Sequence, residues 1–237
     1  MHEMARCKIL KDYVVGYWKC PHCKHTTSTI GFQPKSCYNC HTTPFQFIYV
    51  EVRFKCKVTG ASGAIDCLLK FPNKPKLVVC ELKSIIHKSE AASTPDFVTL
   101  KAPLAEHGLR TNLYMRLIEN SENNLRQFID VKNAMVFYMT KGYGYKDPEL
   151  DKEPISDKMT PFKEYWVTRN DSKTDFYVNR AIPMKNFLEH GIMPPRIDDP
   201  ACEKCKFNHV CMGNQYPPNM QTQWHLNGSF THDNHNA

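Results

Sequence analysis

Gly63-Ala64-Ile65-Asp66 and, fifteen positions after that aspartate, Glu81-Leu82-Lys83 form the stretch around which the rest of the chain is organised. Residues 64–71 and 77–83 are largely apolar and are separated by Pro72, Asn73 and Pro75, so they read as two strands joined by a turn. Side chains two apart on a strand share a face, so Glu81 and Lys83 project together, and a hairpin brings Asp66 beside them. Two acids and a lysine converging in this way suit hydrolysis of a phosphodiester. Asp66 and Glu81 offer hard oxygens to Mg2+ or Mn2+, the carbonyl of Leu82 can add another ligand, and Lys83 can orient or help deprotonate the attacking water. Its charge would also offset that of a phosphorane-like transition state. An ordinary surface Glu-Lys pair would give the same letters. Against that, Glu81 follows Leu77-Val78-Val79-Cys80, an apolar run in which a carboxylate without partners is costly.

Working outward, residues 51–58 alternate strictly, with Val52, Phe54, Cys56 and Val58 on one face and Glu51, Arg53, Lys55 and Lys57 on the other, the pattern of a half-buried strand. A turn over 59–63 leads into the 64–71 strand. Downstream, Pro103 can sit in the first turn of a helix over 103–119, with Leu104, Leu113, Leu117 and Ile118 as its buried stripe. Residues 131–140 read as a strand, 141–161 as an exposed loop, and 165–169 and 176–182 as further strands. A short helix over 185–190 precedes a turn at Pro194 and Pro195. The stretch beyond Gly213 has little apolar content and reads as disordered.

The 237 residues are 41% hydrophobic and 23% charged, enough for one sizeable core, and they exclude collagen-like, coiled-coil and wholly disordered chains. Residues 1–13 carry Arg6, Lys8, Lys11 and Asp12 with no apolar run, so neither a signal peptide nor a membrane span is expected and the protein should be intracellular. In a reducing compartment its 11 cysteines read as metal ligands sooner than as disulfides. Cys20-Pro21-His22-Cys23 and Cys37-Tyr38-Asn39-Cys40 have the spacing of a four-cysteine zinc ribbon, in which metal supplies stability that some forty residues cannot bury for themselves. His22, His25 and His41 could replace a thiolate, although two C-x2-C units make that unnecessary. The first sixty residues also hold nine basic side chains against three acidic ones. Tyr13, Tyr17, Trp18, Phe32, Tyr38 and Phe45 are interleaved with them, a mixture suited to gripping phosphates and stacking bases.

Gly63-Ala64-Ile65-Asp66 followed by Val79-Cys80-Glu81-Leu82-Lys83 resembles motifs II and III of the PD-(D/E)XK nuclease superfamily, in the RecB-like branch that includes CRISPR-associated adaptation exonucleases and many phage exonucleases. That branch carries Gln-x-x-x-Tyr on the next helix, contacting the active site and the DNA. Here Arg110-Thr111-Asn112-Leu113-Tyr114 stands in its place, with the tyrosine kept, the glutamine replaced by Arg110, and His107 one turn earlier. His41 and Glu51 are the two candidates for the upstream metal ligand that the family often has. Cys202-Glu203-Lys204-Cys205 and Cys211 resemble the C-terminal cluster of the branch's iron-sulfur members, in which three such thiolates and one distant cysteine hold a [4Fe-4S] cluster. Cys7 is the choice for the fourth ligand, because it precedes the nuclease core as the family's lone cysteine does. Cys202, Cys205, His209 and Cys211 could alternatively hold a second zinc. Cys56, Cys67 and Cys80 fall on expected strands and are assigned to packing.

The resemblance implies an α/β, restriction-endonuclease-like core with a mixed central sheet flanked by helices over residues 51–213. A zinc-ribbon segment over 1–50 precedes it, and a tail over 214–237 follows. It further implies a Mg2+- or Mn2+-dependent DNA exonuclease in replication, recombination or repair, with Asp66, Glu81 and Lys83 catalytic and Arg110 and Tyr114 on the DNA. The rival readings are a structure-specific endonuclease and a DNA-binding or scaffolding module that uses the ribbon to meet DNA or a replication or recombination protein.

Overall fold

A computed structural model describes residues 2–86, 95–141 and 162–191, and in it the chain is an α/β protein. The order is α1 (His2–Met4) running on into a π-helical turn (Ala5–Ile9), then β1 (Val14–Val15), β2 (Tyr17–Lys19), β3 (Ile48–Val50), β4 (Val52–Lys55), β5 (Ser62–Ile65), β6 (Cys67–Leu69), β7 (Leu77–Ile86), α2 (Ala105–Glu119), β8 (Ile129–Lys141), β9 (Phe162–Thr168) and α3 (Asp175–His190). Five strands form a mixed sheet in the order β1-β6-β7-β8-β9, while β2 pairs with β3 and β4 with β5. β6 and β7 are antiparallel with Cys67 opposite Cys80, β7 and β8 are parallel, and β8 and β9 are antiparallel. A hairpin cannot join parallel neighbours, and α2 lies in the long connection that this arrangement requires. Among the described residues no helix is long and apolar enough to cross a membrane.

Alternation gives the sheet two faces of different character. Val78, Cys80 and Leu82 of β7 join Cys67 and Leu69 of β6 and Met135, Phe137 and Met139 of β8 in one apolar cluster, which also takes in Trp18, Cys20, Cys37, Phe47 and Tyr49. Val79 belongs to a second cluster with Val52, Phe54, Ile65, Ala134 and, from α2, Met115 and Ile118. Glu81 and Lys83 share the parity of Val79, so they face α2, and the cysteine-bearing segment packs behind them on the other face. That segment also extends the sheet, with Val14 opposite Leu69 and Val15 opposite Leu68. Tyr49 joins the two parts: its hydroxyl donates to the Val15 carbonyl and accepts the Leu68 N–H, both at 3.3 Å. Its ring lies so close over Gly16 that a methyl group there would come within 2.3 Å of Cε2.

Several elements depart from expectation. The 64–71 strand is broken at Asp66, with β5 leaving to pair with β4 and β6 staying in the main sheet. The Asp66 carboxylate accepts the Leu82 N–H at 2.8 Å across this break. Val58 is exposed because β4 ends at Lys55. α2 starts after Pro103, at Ala105, and it buries Thr111, Asn112, Met115 and Ile118 while Leu113 and Leu117 are half-buried. The two buried polar residues are satisfied: Thr111 Oγ1 donates to the His107 carbonyl, and Asn112 donates to Gly108 and accepts the Asn170 N–H.

Residues 176–182 are helical, not a strand, and run without interruption into the helix expected over 185–190. Arg116 of α2 fixes the start of α3 by donating to Thr174 Oγ1 at 2.9 Å and Asp175 Oδ1 at 2.6 Å, and Gly191 closes it in the left-handed region with φ 71°. Residues 142–161 of the expected loop, the prolines at 194 and 195, and the stretch from 214 onward lie outside the described residues.

Candidate active site and metal centre

The antiparallel register that sets Leu68 against Val79 ends at Cys67 opposite Cys80, and Asp66, in the break just before β6, lies close enough to Glu81 for the two charges to act on one another. Asp66 Oδ2 takes the Leu82 N–H, and Oδ1 is 3.8 Å from His2 Nδ1. Leu82 therefore contributes its N–H to this site, and its side chain is buried on the opposite face. The Glu81 side chain is 1% exposed, and its Oε1 receives both Lys83 Nζ at 2.5 Å and Arg110 Nη1 at 3.4 Å. Burial, and then the Asp66 charge, raise the pKa of Glu81 against the pull of those two cations. The carboxylate oxygens of Asp66 and Glu81 are the hard donors that Mg2+ and Mn2+ take, so the residue set fits such an ion.

α2 presents His107, Arg110 and Tyr114 toward this site. Burial, with Glu81 next in importance, pushes the Tyr114 hydroxyl up to about 12, which keeps it a neutral donor. Its ring rests on β5: a methyl at residue 63 would lie 2.9 Å from Tyr114 Cε1 and 3.4 Å from Cδ1. The glycine of the Gly63-Ala64-Ile65-Asp66 motif is thus the space that seats Tyr114. Gly63→Ala is expected to displace the ring and cost about 1–3 kcal/mol, a drop of several degrees in melting temperature. Gly31→Ala, where a methyl meets nothing within 4 Å, is the control and should melt close to the parent protein.

His107 Nδ1 is 2.7 Å from the hydroxyl of Tyr138, which stands opposite Lys83 in the parallel ladder. The same hydroxyl accepts the Leu104 N–H at 3.0 Å, so Tyr138 ties His107 to the start of α2. Burial and then Lys83 hold the imidazole below its usual pKa, which favours its neutral form. Of the two residues considered for the upstream ligand, Glu51 accepts from Arg6 at 2.9 Å and His41 is an exposed residue of the cysteine centre. The side chain that meets Asp66 is His2, which sequence reasoning missed: it lies 64 positions away, and no local pattern marks it.

Cys20, Cys23, Cys37 and Cys40 form a second centre, with all four sulfurs within 4.8 Å of one another. Cys20 to Cys40 is 3.8 Å and Cys23 to Cys37 is 3.6 Å. A metal bonded tetrahedrally to four sulfurs at about 2.3 Å spaces them about 3.8 Å apart, so the cluster can hold an ion such as zinc. The two halves share one backbone design. Lys24 (φ 63°) and His41 (φ 55°) follow the second cysteine of each pair, and their N–H groups bond to the carbonyls of Cys20 and Cys37 at 3.0 and 2.9 Å. Thr42, through its hydroxyl and then its N–H, holds the Cys40 thiol down to about 6, favouring the thiolate that a metal needs.

Cys7 is half-buried beside the first core cluster, where Gln46 Nε2 approaches its sulfur at 3.2 Å. Cys202, Cys205, His209 and Cys211 lie outside the described residues. Cys56, Cys67 and Cys80 are buried in the apolar interior. Of the aromatics interleaved with the N-terminal cations, Trp18 is core, donating its indole N–H to the Gly31 carbonyl at 2.9 Å, while Phe32, Tyr38 and Phe45 are exposed. No protein-family model matches this chain, and no curated protein matches it significantly.

Proposed function

We propose that this chain is a divalent-metal-dependent DNA nuclease with a PD-(D/E)XK core, acting inside the cell as an exonuclease on single strands or duplex ends during replication, recombination or repair. The observation that carries the reading is the Glu81–Lys83 pair on the α2 side of β7, with Asp66 close enough for its charge to act on Glu81 and with Arg110 of α2 on the same carboxylate. Mg2+ or Mn2+ bound by Asp66 and Glu81 would supply Lewis acidity and acidify an attacking water. Lys83, tied to Glu81, orients that water and offsets charge on the phosphoryl oxygens. Tyr114, kept protonated, donates a hydrogen bond to the strand, and His107, tied to Tyr138, lines the site beside it.

The same reading gives zinc to Cys20, Cys23, Cys37 and Cys40. It gives a [4Fe-4S] cluster to Cys7, Cys202, Cys205 and Cys211, with a second zinc on Cys202, Cys205, His209 and Cys211 as the alternative. A second function, a DNA-binding or scaffolding module for replication or recombination proteins, is favoured by one observation: Arg110 stands where the nuclease branch has glutamine, and it pairs with Glu81.

Asp66→Ala decides between them. The nuclease reading expects divalent-dependent release of nucleotides from linear DNA by the parent protein, loss of that activity in the variant by at least about 1,000-fold, and DNA affinity largely intact. Retained cleavage would remove Asp66 from the site, and an inactive parent protein that binds DNA in a salt-sensitive way would establish the binding module. Cleavage of covalently closed circular DNA would show an endonuclease, since an exonuclease needs an end.

A further inference from the structure

One buried oxygen, Glu81 Oε1, is approached by two cations of different standing. Lys83 reaches it from the same strand, is 18% exposed, and sits at 2.5 Å. Arg110 reaches it from α2 with a single nitrogen at 3.4 Å, and its side chain is 57% exposed. The first contact is short and held within the site. The second is long and one-toothed, and it uses a group whose planar fork is made for two parallel hydrogen bonds to carboxylate or phosphate. Without a metal ion, two carboxylates, one lysine and one arginine leave the site with no net charge. A divalent cation entering between Asp66 and Glu81 adds two positive charges next to Arg110, and of the two resident cations Arg110 is the far more exposed and the more weakly held, so it is the one that withdraws.

We propose that Arg110 is a mobile counter-ion. It neutralises Glu81 while no divalent cation is bound, gives way when the cation arrives, and then grips a phosphate of the nucleic-acid strand. Arg110 thereby couples loading of the metal to capture of the strand, because only the metal-loaded protein has its guanidinium free. The inference rests on the metal-dependent reading of Asp66 and Glu81 given above.

The test has two measurements that do not need catalysis. The first is calorimetric titration of Mn2+ into the DNA-free parent protein and the Arg110→Gln, Arg110→Lys and Asp66→Ala variants. Arg110→Gln should bind Mn2+ about tenfold more tightly than the parent, and Arg110→Lys, which keeps the charge, should stay within about twofold of it. The second is binding of a labelled oligonucleotide in Ca2+ at several salt concentrations. Here Arg110→Gln should bind more weakly, with a salt slope shallower by about one phosphate contact.

An Arg110→Gln protein that binds Mn2+ no more tightly than the parent overturns the counter-ion role. An unchanged salt slope overturns the phosphate role. Failure of the underlying reading looks different: Mn2+ binding to the parent that is absent, or that is untouched by Asp66→Ala. Arg110→Lys guards against misreading a folding defect, since a general disturbance of α2 would affect both substitutions.

Discussion

Lys83→Met is expected to destabilise the protein by about 2–3 kcal/mol and to abolish the proposed cleavage. Lys83 is the short partner of a carboxylate that is 1% exposed, so its removal leaves a buried charge with only the long contact to Arg110. Breaking a buried pair from one side costs about 3–5 kcal/mol, and the remaining arginine brings this case just below that range. Glu81→Gln should cost less, because burial already disfavours the charge it removes and Lys83 retains some access to water. The double variant should therefore be more stable than the sum of the two single changes predicts, with a coupling of at least about 1 kcal/mol. Denaturant unfolding of the four proteins measures the coupling, and single-turnover cleavage measures the chemistry, which should fall by at least about 1,000-fold in each variant. Additive stabilities would show that the pair is not a unit. Cleavage within tenfold of the parent in Lys83→Met would remove Lys83 from the mechanism.

Stripping metal from the four-cysteine centre, or introducing Cys37→Ser, is expected to lower the melting temperature by more than about 10 °C. The reason is where the centre sits. Cys20 and Cys37 are buried in the same apolar cluster as Cys67, Leu69, Cys80, Leu82 and Phe137, so they form part of the wall behind the β6-β7 hairpin. A structural zinc site contributes its binding energy directly to folding, and each kcal/mol lost moves the midpoint of a protein this size by about 2–4 °C. Trp18, 2% exposed and edge-on to Tyr49 at 5.2 Å, should become wetter as metal leaves, which its fluorescence would report. The experiment pairs metal analysis with melting curves on the same sample. An unchanged melting temperature after complete removal would show that packing alone holds the segment.

The hairpin and the cysteine centre were legible because their signals are short-range. Alternation, proline-marked turns and C-x2-C spacing each act over a few residues, and the packing of Cys67 and Cys80 on the face opposite Glu81 follows from strand parity alone. The break at Asp66 was not legible, because it depends on a side-chain carboxylate accepting a backbone N–H from the neighbouring strand. Residues 176–182 misled for a different reason. Phe176, Tyr177, Val178 and Ile182 suit a strand by composition, and the helix they form is fixed by contacts from Arg116, some sixty residues upstream. His2 beside Asp66 and Tyr138 beside His107 are products of tertiary packing, invisible to any periodicity. The placement of the ribbon behind the sheet was also hidden, since composition shows that Trp18 and Tyr49 are apolar but not which face they cover.

The attachment of Tyr49 has a bearing on engineering. Ribbons bound by four cysteines look like interchangeable parts, short enough to be swapped between proteins by cutting at their ends. Here the ring of Tyr49 needs the bare backbone of Gly16, and its hydroxyl spans the seam between β1 and β6. A foreign ribbon without that tyrosine would lose the hydroxyl that contacts both the Val15 carbonyl and the Leu68 N–H, and any side chain at 16 would push the ring out of its seat. A graft that replaces the ribbon must therefore carry Gly16 and Tyr49 with it, or rebuild the seam at Leu68.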